Sequence, residues 1–340
     1  MKLKALVTAE LIRDTFSPLE KHIDFEYAGY AIDREVMSRK ELLEKVADID
    51  ILICEYDTIN KEVFNNAPNL KLIVCCRGGV KSVVDLDYAK EKGVIVCNNA
   101  GRNATAVADI VLGFILDLTR NISKTNSLIH NRVITMNATT KPDEYADTVW
   151  GLNNDSPFVR FRGDSVSHMT LGLVGFGHTG RLVAERAVAF GMKILAYDPY
   201  LPETSRPENV EFVDFPELLS QSDIISLHCI VSDETRGLFN KDTFAKMKKG
   251  SYFINTARGE LVDENALIDA LNSHHLKGAA LDVTFVEPIY ADSPLLDAEN
   301  LILTPHIAGS AYDVQVQGSN QVFQSLTDYL NGKTPLNCVT

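Results

Sequence analysis

The chain has 340 residues, of which 45% are hydrophobic and 23% charged, ordinary proportions for a globular protein long enough to build two cores. Its formal net charge of −13 argues against a general nucleic-acid or anionic-membrane surface, while leaving room for a local pocket that takes a small anion. The opening MKLKALVTAE lacks the apolar core of a signal peptide, and the apolar run Ile110–Leu116 is far too short to cross a bilayer. The six cysteines include no C-x-x-C pair, so reduced core thiols in a cytoplasmic protein without a metal site are expected.

Residues 1–100 alternate strand-like runs (Ala5–Val7, Ile51–Cys54, Leu72–Cys76, Val94–Cys97) with helical ones (Arg34–Val46, Leu86–Lys92). That alternation predicts a parallel sheet covered by helices. Ligands of such sheets sit at the carboxyl ends of strands, where Arg77-Gly78-Gly79-Val80-Lys81 falls. Two glycines expose amides and two cations flank them. The composition suits a small carboxylate, and equally a solvated basic turn. Residues 103–130 read as one long helix, capped by Asn103 and striped by Val107, Ile110, Val111, Phe114, Ile115, Leu118 and Ile122. Residues 131–168, with Pro142, Trp150 and Pro157, lose this periodicity. Such an insertion reads as an arm packed on a partner subunit through Trp150, or as a surface loop.

Residues 169–198, MTLGLVGFGHTGRLVAERAVAFGMKILAYD, then give strand, turn, helix and strand. Gly175, Gly177 and Gly180 stand in G-x-G-x-x-G spacing, and Asp198 closes the second strand. The first glycine permits a tight turn, the second lets a pyrophosphate approach the backbone, and the third lets the helix pack on the strand. Free amides at the helix start favour the phosphate charge. Asp198 can accept hydrogen bonds from both ribose hydroxyls and repel a 2′-phosphate, which predicts NAD rather than NADP. Further strands are predicted near Ile224–His228, Tyr252–Asn255, Ala279–Val283 and Leu301–Leu303, with helices near Pro216–Ser220, Lys241–Met247 and Glu264–Ser273 and a last one over residues 310–331.

Three chemical groups each follow one of those strands: Arg258, Glu287 and His306. Strand ends on one edge of a parallel sheet converge, so the three are expected to meet. Interconversion of a 2-hydroxy acid and its 2-oxo acid moves a hydride at C2 and a proton at the oxygen. A neutral imidazole handles that proton. A carboxylate beside the imidazole fixes its tautomer and stabilises its cation. An arginine grips the substrate carboxylate with a fixed fork of donors. His228 ends a strand and is a candidate for the wall of the cofactor pocket.

The segments GRNATAVADIVLG from Gly101, LGLVGFGHTGR from Leu171, NTARGELVDENAL from Asn255, ALDVTFVEP from Ala280 and TPHIAG from Thr304 resemble the D-isomer-specific 2-hydroxyacid dehydrogenase family, and most its phosphoglycerate dehydrogenase-like branch. The resemblance implies an α/β chain of two Rossmann-like or flavodoxin-like domains with parallel sheets. A doubly wound NAD domain (101–307), carrying a dimerisation arm near 131–168, would be inserted into a discontinuous substrate domain (1–100 and 308–340). It implies Arg258, Glu287 and His306 as the catalytic set. It places cofactor contacts at Thr105, Gly175, Gly177, His178, Thr179, Gly180, Asp198, Thr256, Ala257, Arg258, Asp282, His306 and Gly309, with Asp282 near the nicotinamide amide. Arg77, Gly78, Gly79 and Arg258 fall to the substrate. A homodimer acting on a small 2-hydroxy or 2-oxo acid is implied. Its type is glyoxylate, hydroxypyruvate, sugar acid or phosphoglycerate; the alternatives are the 3-phosphoglycerate dehydrogenase of serine synthesis and a non-enzymatic, NAD-sensing, corepressor-like protein. The run from Arg77 to Val83 departs from the family's usual Gly-Val-Gly-x-Asp-Asn pattern, and its extra cations Arg77 and Lys81 bear on the substrate's tail.

Overall fold

The computed structural model describes residues 2–135 and 156–340; Pro142 and Trp150 lie outside them. The chain forms two compact units, Met1–Asn103 with Ser310–Thr340 and Ala104–Gly309. Among the described residues no helix is long and apolar enough to cross a membrane.

The first unit holds five strands, β1 (Leu3–Val7), β2 (Ile23–Tyr27), β3 (Ile51–Cys54), β4 (Leu72–Cys75) and β5 (Ile95–Asn98). They pair in parallel in the order β2-β1-β3-β4-β5, the flavodoxin-like doubly wound order. The strand pleat explains the uninterrupted apolar runs. Leu6, Leu52, Cys54, Ile73, Cys75 and Val96 enter the core on one face, while Val7, Ile51, Ile53, Leu72, Val74 and Cys97 enter the core on the other. Strand β2 escapes a search for apolar runs because it lies at the sheet edge and buries only Ile23.

The helix expected from Arg34 begins at Arg39, behind a capping box in which Ser38 and Glu41 satisfy each other's amides. Arg34 itself sits in the left-handed region with φ 64° and ends a short helix, Tyr30–Asp33. The single helix expected over 103–130 is two, Ala104–Arg120 and Ile122–His130. The break falls at Asn121, which has φ 57°, a conformation asparagine tolerates better than most residues. Its Nδ2 donates to the Phe161 carbonyl at 3.3 Å. Periodicity alone is blind to such a one-residue kink.

The second unit holds β6 (Thr170–Val174), β7 (Lys193–Tyr197), β8 (Glu211–Phe212), β9 (Ile224–Leu227), β10 (Ser251–Asn255), β11 (Leu276–Leu281) and β12 (Leu301–Leu303). Their order is β12-β11-β10-β9-β6-β7-β8, and every pair is parallel. This is the Rossmann order with one strand added. The order reverses between β6 and β9, so the crevice for a ligand opens at the carboxyl ends of those two strands.

Candidate active site

The glycine loop follows β6 at that reversal. Gly175 adopts φ +94°, and a Cβ there would lie 2.7 Å from the backbone of both His228 and Cys229. A Cβ on Gly180 would lie 2.5 Å from the Gly175 carbonyl oxygen. Gly177 is different: nothing lies within 4 Å of its absent Cβ. Two glycines are therefore demanded by packing, and the middle one leaves a cradle open. The helix His178–Ala189 starts from Gly177 without a side-chain cap, so its first amides are available to an anion. Gly180→Ala is expected to lower the unfolding midpoint by several degrees, since one or two kcal/mol suffices for that shift. Gly177→Ala should leave the midpoint nearly unchanged, because φ is an ordinary −76°, and should weaken NADH binding. Calorimetry alongside a fluorescence titration with NADH separates the two effects.

Asp198 follows β7 and is tied to the same loop. Its Oδ2 accepts from the Phe176 amide at 2.8 Å and its Oδ1 from the Tyr200 amide at 3.1 Å, leaving acceptor capacity on both oxygens. At the end of β10, Thr256 is buried at 8% exposure, and its hydroxyl has no hydrogen-bond partner. An orphaned buried hydroxyl is costly unless a ligand completes it. At the end of β9, the His228 Nε2 lies 3.0 Å from the Ser226 hydroxyl, and burial pushes its pKa down to about 3, so this imidazole stays neutral. An open glycine cradle, an uncapped helix start, a fixed carboxylate and an unpartnered hydroxyl fit a dinucleotide. Thr105 lies in the first turn of the helix Ala104–Arg120 and lends its carbonyl to Arg186 at 3.1 Å. Gly309 ends this unit.

The chemical groups stand at the ends of β10, β11 and β12. His306 Nδ1 lies 2.7 Å from Glu287 Oε2, and Glu287 Oε1 accepts from the Thr284 amide at 3.1 Å. With Nδ1–H donated to the carboxylate, Nε2 is left as an acceptor. Both side chains are partly open to solvent, 48% and 37% exposed. Arg258 is exposed and uses one nitrogen on the Ala257 carbonyl at 2.6 Å; it has no carboxylate partner among the described residues. Asn255 fixes its backbone, donating to the Arg258 carbonyl at 2.8 Å and accepting from the Ala257 amide at 3.0 Å. The two loops touch directly, since a Cβ on Gly259 would lie 2.2 Å from the Thr284 carbonyl.

Asp282 is buried at 1% exposure, with its carboxylate turned into the chain. Oδ1 accepts from the Thr304 hydroxyl at 2.6 Å and the Ile307 amide at 2.9 Å, and Oδ2 from the Ala308 amide at 2.8 Å. Its carbonyl accepts from the His306 amide at 2.8 Å. Asp282 thus braces the loop that carries His306, which itself has φ 55°.

In the first unit, the loop after β4 has its own supports. The Arg77 guanidinium lies 5.5 Å from the centre of the Tyr56 ring and Asn98 Nδ2 donates to the Gly78 carbonyl at 2.8 Å. The amides of Gly78 and Gly79 donate to no backbone carbonyl among the described residues, and neither glycine has an atom within 4 Å of its absent Cβ. Below them, Arg102 pairs with Glu55, whose side chain is only 5% exposed. Tyr56, Asn98 and the Glu55–Arg102 pair escape the sequence reading; the available signal was a charged residue directly behind a fully apolar strand.

A Rossmann-ordered unit with a glycine cradle, a fixed carboxylate at the end of β7 and a histidine–carboxylate pair at one strand edge defines a dinucleotide-dependent dehydrogenase. The family model for the D-isomer specific 2-hydroxyacid dehydrogenase, NAD binding domain, matches residues 112–308. A hydroxypyruvate reductase of Blautia hydrogenotrophica is 34% identical over 88% of this chain and 88% of its own length. A D-3-phosphoglycerate dehydrogenase of Methanocaldococcus jannaschii is 35% identical over 99% of this chain and 59% of its own length. The crystal structure of the TT0316 protein from Thermus thermophilus superposes with a TM-score of 0.79 at 32% identity, covering 99% of this chain and 100% of that one. The chain belongs to the D-isomer specific 2-hydroxyacid dehydrogenase family and is an NAD-dependent oxidoreductase of 2-hydroxy acids.

Proposed function

We propose that the chain reduces a small, unphosphorylated 2-oxo acid of the hydroxypyruvate or glyoxylate type to its D-2-hydroxy acid, with Arg258, Glu287 and His306 as its catalytic residues. The observation that carries the assignment is the Glu287–His306 pair at 2.7 Å. NADH, when bound, supplies the hydride. His306 delivers a proton from Nε2 to the oxygen at C2, and Glu287 holds Nδ1–H and stabilises the imidazolium between turnovers. Arg258, free of a carboxylate partner, grips the substrate carboxylate and polarises the carbonyl. The unspent amides of Gly78 and Gly79 suit a small carboxylate. The cofactor is held by the amides of His178 and Thr179, by Asp198, by the Thr256 hydroxyl and by Ala257, Arg258, Asp282, His306 and Gly309 along the strand edge.

The units take the roles of substrate domain (Met1–Asn103 with Ser310–Thr340) and NAD domain (Ala104–Gly309). The protein works as a homodimer in the cytoplasm. Exposed Ile122, Ile129 and Phe158, at 53%, 52% and 71%, support a partner surface on the NAD domain. One observation favours a second reading. Arg77 and Lys81 have no ion-pair partner among the described residues, which suits a phosphorylated acid such as the substrate of a phosphoglycerate dehydrogenase.

NADH oxidation with glyoxylate, hydroxypyruvate, phosphohydroxypyruvate and pyruvate, repeated with NADPH, tests the assignment. Hydroxypyruvate should exceed pyruvate in kcat/KM by about tenfold, since one hydrogen bond to its extra hydroxyl contributes about 1 kcal/mol, glyoxylate should exceed pyruvate by a similar factor because it lacks the methyl group, and NADH should exceed NADPH. Preference for phosphohydroxypyruvate replaces the first reading with the second. Negligible rates from protein that binds NADH overturn both.

A further inference from the structure

We propose that Cys97 and Cys338 form an oxidisable thiol pair in the first unit, a modification site at which a low-molecular-weight disulfide such as oxidised glutathione converts two thiols into one intramolecular disulfide. The pairing is set by backbone register. Strand β5 lies at the sheet edge, and the segment around Cys338 runs antiparallel along it, with Cys97 directly opposite Cys338. The flanking hydrogen bonds are Asn98 N to Asn337 O at 3.1 Å and Val339 N to Val96 O at 2.8 Å. That pattern makes the two cysteines a non-hydrogen-bonded pair, the type with the closest side chains and a Cα separation of about 4.5 Å. A disulfide spans about 4.4–6.8 Å between Cα atoms. Cys338 packs on the same core cluster that contains Cys97, so both side chains lie on one side of the sheet.

The other thiols lack this combination. Cys54 and Cys75 are also neighbours in register, but both are fully buried, and no oxidant reaches either. Cys76 is equally buried, and Cys229 belongs to the other unit. Cys338 is partly open to solvent, and its thiol donates to the Thr340 carbonyl at 3.5 Å. Burial first, and Cys338 after it, pushes the Cys97 thiol up to about 12. The order of attack follows: Cys338 is the entry sulfur and Cys97 the resolving one.

Chemically, the Cys338 thiolate attacks one sulfur of the small disulfide and expels one thiol, leaving a mixed disulfide. The Cys97 sulfur, losing its proton to solvent, then attacks Cys338 Sγ and expels the second thiol. Two cysteine thiols are oxidised and one small disulfide is reduced to two thiols. The new bond would close nearly the whole chain from residue 98 to 337 into one covalent loop, and long loops restrict the unfolded chain most. It would also clamp β5 next to Asn98, the residue that holds the Gly78 carbonyl.

The test treats the purified full chain with oxidised glutathione, blocks free thiols and maps peptides without reduction. Thermal unfolding is recorded before and after treatment, for the wild type and for Cys338→Ser. A Cys97–Cys338 peptide should appear. The oxidised wild type should unfold several degrees above the reduced one, by the loop-closure argument, and dithiothreitol should reverse the shift. Cys338→Ser should fold normally and show no shift. A stable glutathione adduct on Cys338 with Cys97 still free, a disulfide through other cysteines, or coincident wild-type melts would overturn the proposal.

Discussion

His306→Gln should lower turnover by about 10³-fold, within the range that a positioned general acid or base contributes, and leave NADH affinity within about twofold of the wild type. Glutamine keeps a donor for Glu287 Oε2, now 2.7 Å from the imidazole, and so preserves the loop. What it lacks is a second ring nitrogen that can carry and release a proton. Stopped-flow transients with hydroxypyruvate, beside an NADH fluorescence titration, measure the two quantities separately. Turnover within tenfold of the wild type would remove His306 from the role of acid. Loss of NADH binding in step with turnover would assign it to holding the cofactor instead. The variant is informative because both side chains of the pair are partly exposed, so the substitution opens no buried cavity.

What the sequence made legible follows from which interactions are local. The strands of both sheets declare themselves because a parallel sheet buried on both faces needs uninterrupted apolar runs, as Ile51–Cys54 and Leu72–Cys75 show. The glycine motif is legible because its demands are steric and lie within six residues, two of them now visible as backbone contacts at Gly175 and Gly180. The Glu287–His306 contact was inferable because each residue lies in the segment after one of two neighbouring parallel strands, β11 and β12. Illegible features depend on one residue's dihedral or on distant partners. Asn121 breaks a helix that periodicity runs through, and edge strand β2 buries one residue and so carries no run. The facing of Cys97 by Cys338 joins positions at opposite ends of the chain, which no local pattern announces. Asp282 is instructive in another way. Its position in the sequence marks it for the site, but only the structure shows its carboxylate bracing a neighbouring loop.

That bracing gives the largest expected loss of stability. Asp282→Ala removes the acceptor for the Thr304 hydroxyl and for the Ile307 and Ala308 amides at 2.6, 2.9 and 2.8 Å. Ala308 is itself buried at 2% exposure, so at least one donor is left without water. Hydrogen bonds to a charged acceptor contribute about 1.5–3 kcal/mol each, and partial solvation of the other donors brings the expected total to about 3–5 kcal/mol. For a unit of this size that lowers the midpoint by roughly 10 °C. Turnover should also fall, by about 10²-fold, because a displacement of about 1 Å at a catalytic group costs that much. The His306 backbone at φ 55° is a conformation that persists only where its surroundings enforce it. Asp282→Asn keeps the shape and one acceptor oxygen, so it should recover part of both losses. Calorimetry and steady-state kinetics on the two variants check the account. A midpoint within a degree of the wild type in Asp282→Ala would show that the three donors find other partners. A stable variant with weakened NADH binding and unaltered turnover at saturating cofactor would return Asp282 to the cofactor's own shell.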